Sequence, residues 1–172
     1  MTASNTNLTL FSGPTFRIAF ARYADKVLDG VIHPEGRFHH SGQPAFYASP
    51  TPETAAIAID IYLRADDPPR VMIPLQVSDA RLADLRDPAT CDQLDIDPRW
   101  PSVPWADERA NGQPATSWKA SDAVRASGAD GMIYASRRAP ERWHLVLFRW
   151  NAPGAAQLRV AASPTDWTPS IF

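Results

Sequence analysis

The chain has 172 residues, 44% apolar and 21% charged, with a formal net charge of −2, which describes one globular domain with a sizeable core. That balance removes any electrostatic case for sequence-independent nucleic-acid binding, and no run approaches the roughly 18 apolar residues of a membrane span. Cys91 is the only cysteine, so an intrachain disulfide is excluded and a reducing setting is expected.

The opening "MTASNTNLTLFSG" lacks the basic region and long apolar run of a signal peptide. Residues 1–14 are therefore expected to be a loose N-terminal segment, ahead of a single cytoplasmic domain over 15–172. Strand formers alternate in "TFRIAF" (15–20), "AFYAS" (45–49) and "RVMIPLQV" (70–77), and again in "GMIYAS" (131–136) and "WHLVLFRW" (143–150). "AQLRVAA" (156–162) is a candidate last strand. A helix is expected from "TPETAAIAIDIYLR", with Thr51 as cap, Pro52 in the first turn and Glu53 facing the N-terminal dipole. Ala55, Ala56, Ile59 and Leu63 would form its buried stripe. A second helix is expected in "SWKASDAVRASG" (117–128), stopped by Gly128. Residues 86–116, with several prolines, Trp100 and Trp105, read as a long irregular loop of the kind that covers a site. The class is α+β, with a central, mostly antiparallel sheet and flanking helices.

There is no glycine-rich dinucleotide fingerprint, P-loop, nucleophile elbow or metal-ligand helix pattern. The histidines are His33, His39, His40 and His144; in a strand His39 and His40 would point to opposite faces, and no metal is expected. What remains is a set of polar residues at element ends: Arg17, Arg37, Tyr47 and Ser136. Taken singly, each has an ordinary explanation: a solvated or carbonyl-bound arginine, a core tyrosine, a turn-capping serine. At the C-terminus, Trp167, Ile171 and Phe172 either pack on the domain's own sheet or form a contact patch.

The spacing of these residues carries more. The segments "FRIAF", "GRFHHSGQPAFYASPTPETAA", "GADGMIYASRRAP" and "WHLVLF" resemble the RES-domain family over roughly residues 15–150. The resemblance implies an ADP-ribosyltransferase-like fold and the toxin of a bacterial toxin–antitoxin pair, opposed by an Xre-type antitoxin. It implies NAD as substrate, cleaved at the nicotinamide–ribose bond by hydrolysis or phosphorolysis, or used to ADP-ribosylate a protein. Arg17 and Arg37 match the two arginines of the family's NAD pocket, Tyr47 its tyrosine and Ser136 its motif serine. Arg37, Tyr47 and Ser136 are the expected catalytic residues, and Arg17 joins them in binding NAD. Guanidinium forks suit a pyrophosphate, an aromatic ring can stack on nicotinamide, and a serine can bond the amide or the ribose.

One family residue is missing. Counting forward from Tyr47 without gaps, the family glutamate falls on Ala58. Glu53 and Asp60 are the nearest acids and lie on other faces of the helix; Glu35 and Glu141 are candidates from elsewhere. His144 is a second departure, standing where related chains often carry asparagine. The alternatives to NAD cleavage are thus mono-ADP-ribosyl transfer and a non-catalytic NAD-binding module. Oligomeric state is not legible.

Overall fold

The structure is a computed structural model and describes residues 7–170. Its axis is the long strand β3 (Arg70–Asp84), in which Val71, Ile73, Leu75 and Val77 alternate into the main core. β1 (Thr9–Phe20) runs antiparallel to it from Thr9↔Leu82 to Phe20↔Arg70, with a register shift between Phe11 and Gly13. β1 begins at Thr9, so residues 9–14 belong to the sheet and not to a loose leader. Residues 1–6, Ile171 and Phe172 lie outside the described residues.

β4 (Gly131–Ala135) lies parallel to the end of β3, β5 (Trp143–Leu147) antiparallel to β4, and β2 (Phe46–Ala48) antiparallel to β5. A bridge between Phe16 and Ser49 then returns β2 to β1, through Phe16 N–H donating to the Ser49 carbonyl (2.8 Å) and Ser49 N–H to the Phe16 carbonyl (3.0 Å). β6 (Gln157–Val160) and β7 (Thr165–Trp167) pair with successive stretches of β3. Pro74, which has no N–H for a ladder, falls between those stretches and accepts from Ala161 N–H (2.9 Å). The expected α+β class with a mostly antiparallel sheet is what the chain forms; β3–β4 is the parallel exception.

A parallel pair needs a long crossover, and residues 85–130 supply it. They contain α2 (Pro88–Gln93), α3 (Trp105–Ala110), α4 (Ser117–Ala126) and a single 3-10 turn, Trp100–Ser102. The stretch 86–116 is therefore ordered helix and turn rather than an irregular loop. Asp87 caps α2 by accepting from Ala89 N–H. Gly131 is obligatory at the start of β4, because a Cβ there would lie 2.0 Å from the Val146 carbonyl oxygen.

α1 (Pro52–Ile59) starts as expected: Thr51 Oγ1 accepts from Thr54 N–H (3.1 Å). It is shorter than expected, giving way at Asp60–Tyr62 to a 3-10 turn. Ala55 is buried, and Ala56 and Ile59 pack with it on Ile18 and Met72; Leu63 lies past the helix end. Trp167 joins the same cluster, so it packs on the domain's own sheet. A 3-10 helix over Ala21–Asp29 follows β1. A second core, formed by Phe38, Met132, Tyr134, Val146 and Phe148, lies beneath α2 and α4.

Candidate active site

Arg37 sits in the loop between the first 3-10 helix and β2, and almost every backbone group around it is accounted for. Gly36 N–H donates to the His39 carbonyl (2.9 Å), closing a tight turn. From α4, Trp118 Nε1 donates to the Gly36 carbonyl (2.8 Å), Ser117 Oγ to the Arg37 carbonyl and Arg125 Nη1 to the Phe38 carbonyl (2.9 Å). From β2, the Tyr47 hydroxyl accepts from Phe38 N–H (2.9 Å). Buried backbone polar groups must be paired, so these donors hold the loop in one conformation. The guanidinium is thereby set over the rings of Phe38 and Tyr134, each 4.9 Å from Cζ. Its Nε and Nη2 donate to the Pro101 carbonyl (3.0 and 2.7 Å), in the 3-10 turn of the crossover.

Arg17 projects from β1 toward the same region. Its Nη1 donates to the Tyr47 carbonyl (2.9 Å), and its Cζ lies 5.7 Å from the centre of the Phe46 ring. Burial lowers the pKa of both arginines from the ordinary value. Among the described residues, neither forms an ion pair. Both are half-buried, and a guanidinium withdrawn from water is costly to desolvate and is often paired with a carboxylate. Two of them resting only on carbonyl oxygens leave positive charge that a bound anion would neutralise.

Tyr47 has internal duties. Its hydroxyl bonds His39 Nδ1 (2.8 Å) as well as Phe38 N–H, and its ring stacks on Phe38 at 6.5 Å. His39 Nε2 faces the His33 carbonyl at 3.0 Å, so Nε2 carries the proton and Nδ1 accepts from the tyrosine. Tyr47 thus braces the Arg37 loop, and the rings that meet Arg37 itself are Phe38 and Tyr134. The phenol of Tyr134 is pushed up to about 12 by burial, against the lowering field of Arg37. Ser136 is buried just past the end of β4, two residues on from Tyr134. Its Oγ accepts from Ala139 N–H (3.2 Å), the turn-capping role open to any strand-end serine. Arg17, Arg37 and Tyr47 are brought together; the described contacts do not join Ser136 to them.

Opposite Tyr134 in the β4–β5 register is His144, with ring centres 5.5 Å apart. His144 is 4% exposed, and its Nδ1 lies 2.8 Å from Ser49 Oγ. Burial, aided by Arg37, lowers its pKa to about 4. Tyr134, Ser49 and His144 were not among the expected site residues. Tyr134 and Ser49 lie inside the motif segments "GMIYAS" and "FYAS", where period-two alternation puts Tyr134 and Ser136 on one face of their strand, and Tyr47 and Ser49 on one face of theirs.

None of the candidate acids makes a described contact with Arg17 or Arg37, and Glu141 is exposed. Ala58 is exposed on α1, as is Glu53. Asp60 pairs with Arg138 (2.8 Å), and both Glu35 oxygens are held by Arg109 (2.8 and 3.0 Å). The Arg109 hydrogen bonds also lower the Glu35 pKa, so this carboxyl is neither free nor basic. The described residues contain no cluster of histidine, cysteine and acidic side chains able to hold a metal ion, and no helix among them is long and apolar enough to cross a membrane.

Arg17, beside the Phe16–Ser49 bridge, and Arg37, over the Tyr134 ring, are thus both without a carboxylate partner among the described residues. The profile of the RES domain family matches residues 14–170, and the chain belongs to that family. Among solved structures, it is similar to that of the M. tuberculosis MbcT–MbcA toxin–antitoxin complex. The TM-score is 0.61 at 16% identity, covering 96% of this chain and 90% of that one. The likeness shows a shared fold, and the α+β class with a mostly antiparallel sheet is the one the sequence led us to expect. Curated proteins give no match to the chain.

Proposed function

We propose that this RES-domain chain binds NAD through Arg17 and Arg37 and cleaves its nicotinamide–ribose bond, as the toxin of a toxin–antitoxin pair. The observation that carries the reading is the pair of half-buried arginines whose guanidinium groups, among the described residues, hydrogen-bond only to carbonyl oxygens. A pyrophosphate supplies the missing negative charge in a form that two forks can grip. Tyr134 and Phe38, buried under Arg37, hold its guanidinium in place. Tyr47 and Ser136 act here by holding the Arg37 loop and the end of β4 in place. The antitoxin reading rests on the similarity to a toxin–antitoxin complex, with an Xre-type protein as the expected partner.

The test is incubation with NAD labelled in the ADP-ribose half, with and without phosphate and cell extract. Free ADP-ribose means hydrolysis, its 1-phosphate means phosphorolysis, and a labelled protein band means ADP-ribosyl transfer. One observation favours a second reading: exposed Ala58 leaves no carboxylate to stabilise an oxocarbenium-like ribose. A non-catalytic NAD-binding module would bind NAD in a titration and release none of these products.

A further inference from the structure

The pair formed by Ser49 and His144 has no part in the reading above, and hydrogen-bond accounting fixes its protons. Ser49 Oγ is buried and has one partner among the described residues, His144 Nδ1 at 2.8 Å. If Nδ1 carried the proton, the serine hydroxyl hydrogen would be buried with no acceptor, a cost of order 1–3 kcal/mol. With Ser49 donating to Nδ1, both groups are satisfied and the imidazole proton sits on Nε2.

That nitrogen has no partner among the described residues. It is also absent from the sealed, unpaired side-chain atoms, which are Thr15 Oγ1, Arg70 Nε and Arg125 Nε. His144 Nε2 is therefore not fully sealed and keeps a narrow opening to solvent, on the face of the sheet that carries Tyr134. The Tyr134 ring is shared: Arg37 Cζ lies 4.9 Å from its centre and the His144 ring 5.5 Å. A hydrogen-bond donor without a protein acceptor thus stands beside a cation without a carboxylate. We infer that Ser49 fixes His144 as the Nε2–H tautomer, and that this neutral imidazole donates a hydrogen bond to an oxygen of the anionic ligand held by Arg37. Ser49 is then a positioning residue and His144 a binding residue. Neutrality suits the place, since a second full charge would be repelled by Arg37, and His144 stays uncharged down to about pH 4. The identity of the ligand as NAD rests on the function proposed above; the tautomer and the donor do not.

The experiment combines nitrogen-detected NMR of the His144 ring with calorimetric titration of NAD and, separately, inorganic pyrophosphate. Wild type should show Nε2–H, and Ser49→Ala a mixture of tautomers with binding weakened. His144→Leu should bind about tenfold more weakly, the loss of one hydrogen bond to a charged acceptor. His144→Asn, which keeps an N–H donor, should recover most of that loss. An Nδ1–H tautomer in wild type, or His144→Leu binding as wild type does, overturns the inference. Wild type that binds pyrophosphate but not NAD overturns the NAD reading, and His144 is then judged on pyrophosphate. Wild type that binds neither overturns both. Should His144→Leu fail to fold, Ser49→Ala decides: an unchanged tautomer with unchanged affinity overturns the inference.

Discussion

At the scale of single residues, the site is a problem of unbalanced charge. Arg37 is held by one carbonyl oxygen and two rings, so its removal leaves the fold with little to lose and the ligand with much. Arg37→Ala should weaken NAD binding by about 2–3 kcal/mol, the worth of charged hydrogen bonds, measured by calorimetry. Equal affinity in variant and wild type would take Arg37 out of the site. His144 supplies a pH signature. Its pKa falls to about 4 in the folded state, against about 6.5 unfolded, so folding favours the neutral ring. Below pH 6.5 the unfolded chain takes up the proton first, and stability is lost as pH falls toward 4. Urea unfolding should show wild type losing about 3 kcal/mol more than His144→Asn between pH 7 and pH 4. Parallel loss in the two proteins would mean that His144 is not desolvated. The arginines were legible because the Gly-Arg-aromatic run and the first strand stand at family spacing. Tyr134 was hidden by its type, since a strand tyrosine is core by default. His144 was visible only as a departure from an asparagine, and its meaning needed Ser49 across the strand pair.

At the scale of elements, alternation found the main strands, because half-buried strands repeat with period two. It missed the 3-10 helix over Ala21–Asp29, where Val27 is the one buried side chain. It also missed α2 and α3, at six residues each too short to show a helical stripe. The Arg37 loop is an element in its own right, and its weak point is Gly36. A Cβ there would meet His39 Cε1 at 2.2 Å, inside the network that Tyr47 and Phe38 complete. Gly36→Ala should cost about 1–3 kcal/mol in thermal or urea unfolding, as overpacking does, and should weaken NAD binding by releasing Arg37. Unchanged stability would show that the loop yields without cost. α1 offers the opposite kind of change. Ala58 is exposed on a regular helix, so Ala58→Glu should alter stability by no more than about 0.5 kcal/mol. If the gap-free register with the family is right, the new carboxylate should raise NAD cleavage about ten- to a thousandfold. A folded Ala58→Glu protein with unchanged turnover would remove that register.

At the scale of the whole molecule, the proposed function depends on access to the arginine pair. The bridge from Phe16 to Ser49 closes the sheet, and Arg17, one residue beyond Phe16, reaches the Tyr47 carbonyl at that seam. The salt bridge from Asp60 to Arg138 ties the end of α1 to the turn after Ser136. Ile61 and Tyr62 follow Asp60 at 51% and 49% exposure, large apolar side chains left about half uncovered by the described residues. If the chain is the toxin proposed above, it should act when nothing covers the arginine pair and be silenced by a partner bound over it. Strong expression of the chain alone should therefore arrest growth and deplete cellular NAD. Co-expression with the protein encoded beside it should relieve both effects and yield a complex that copurifies. Arg37→Ala, expressed to the same soluble level, should leave growth and NAD intact, which separates loss of NAD from the burden of expression. Normal growth with abundant soluble wild-type protein would end the toxin reading while leaving NAD binding to the titration. Arrest by wild type and Arg37→Ala alike would place toxicity outside the arginine site.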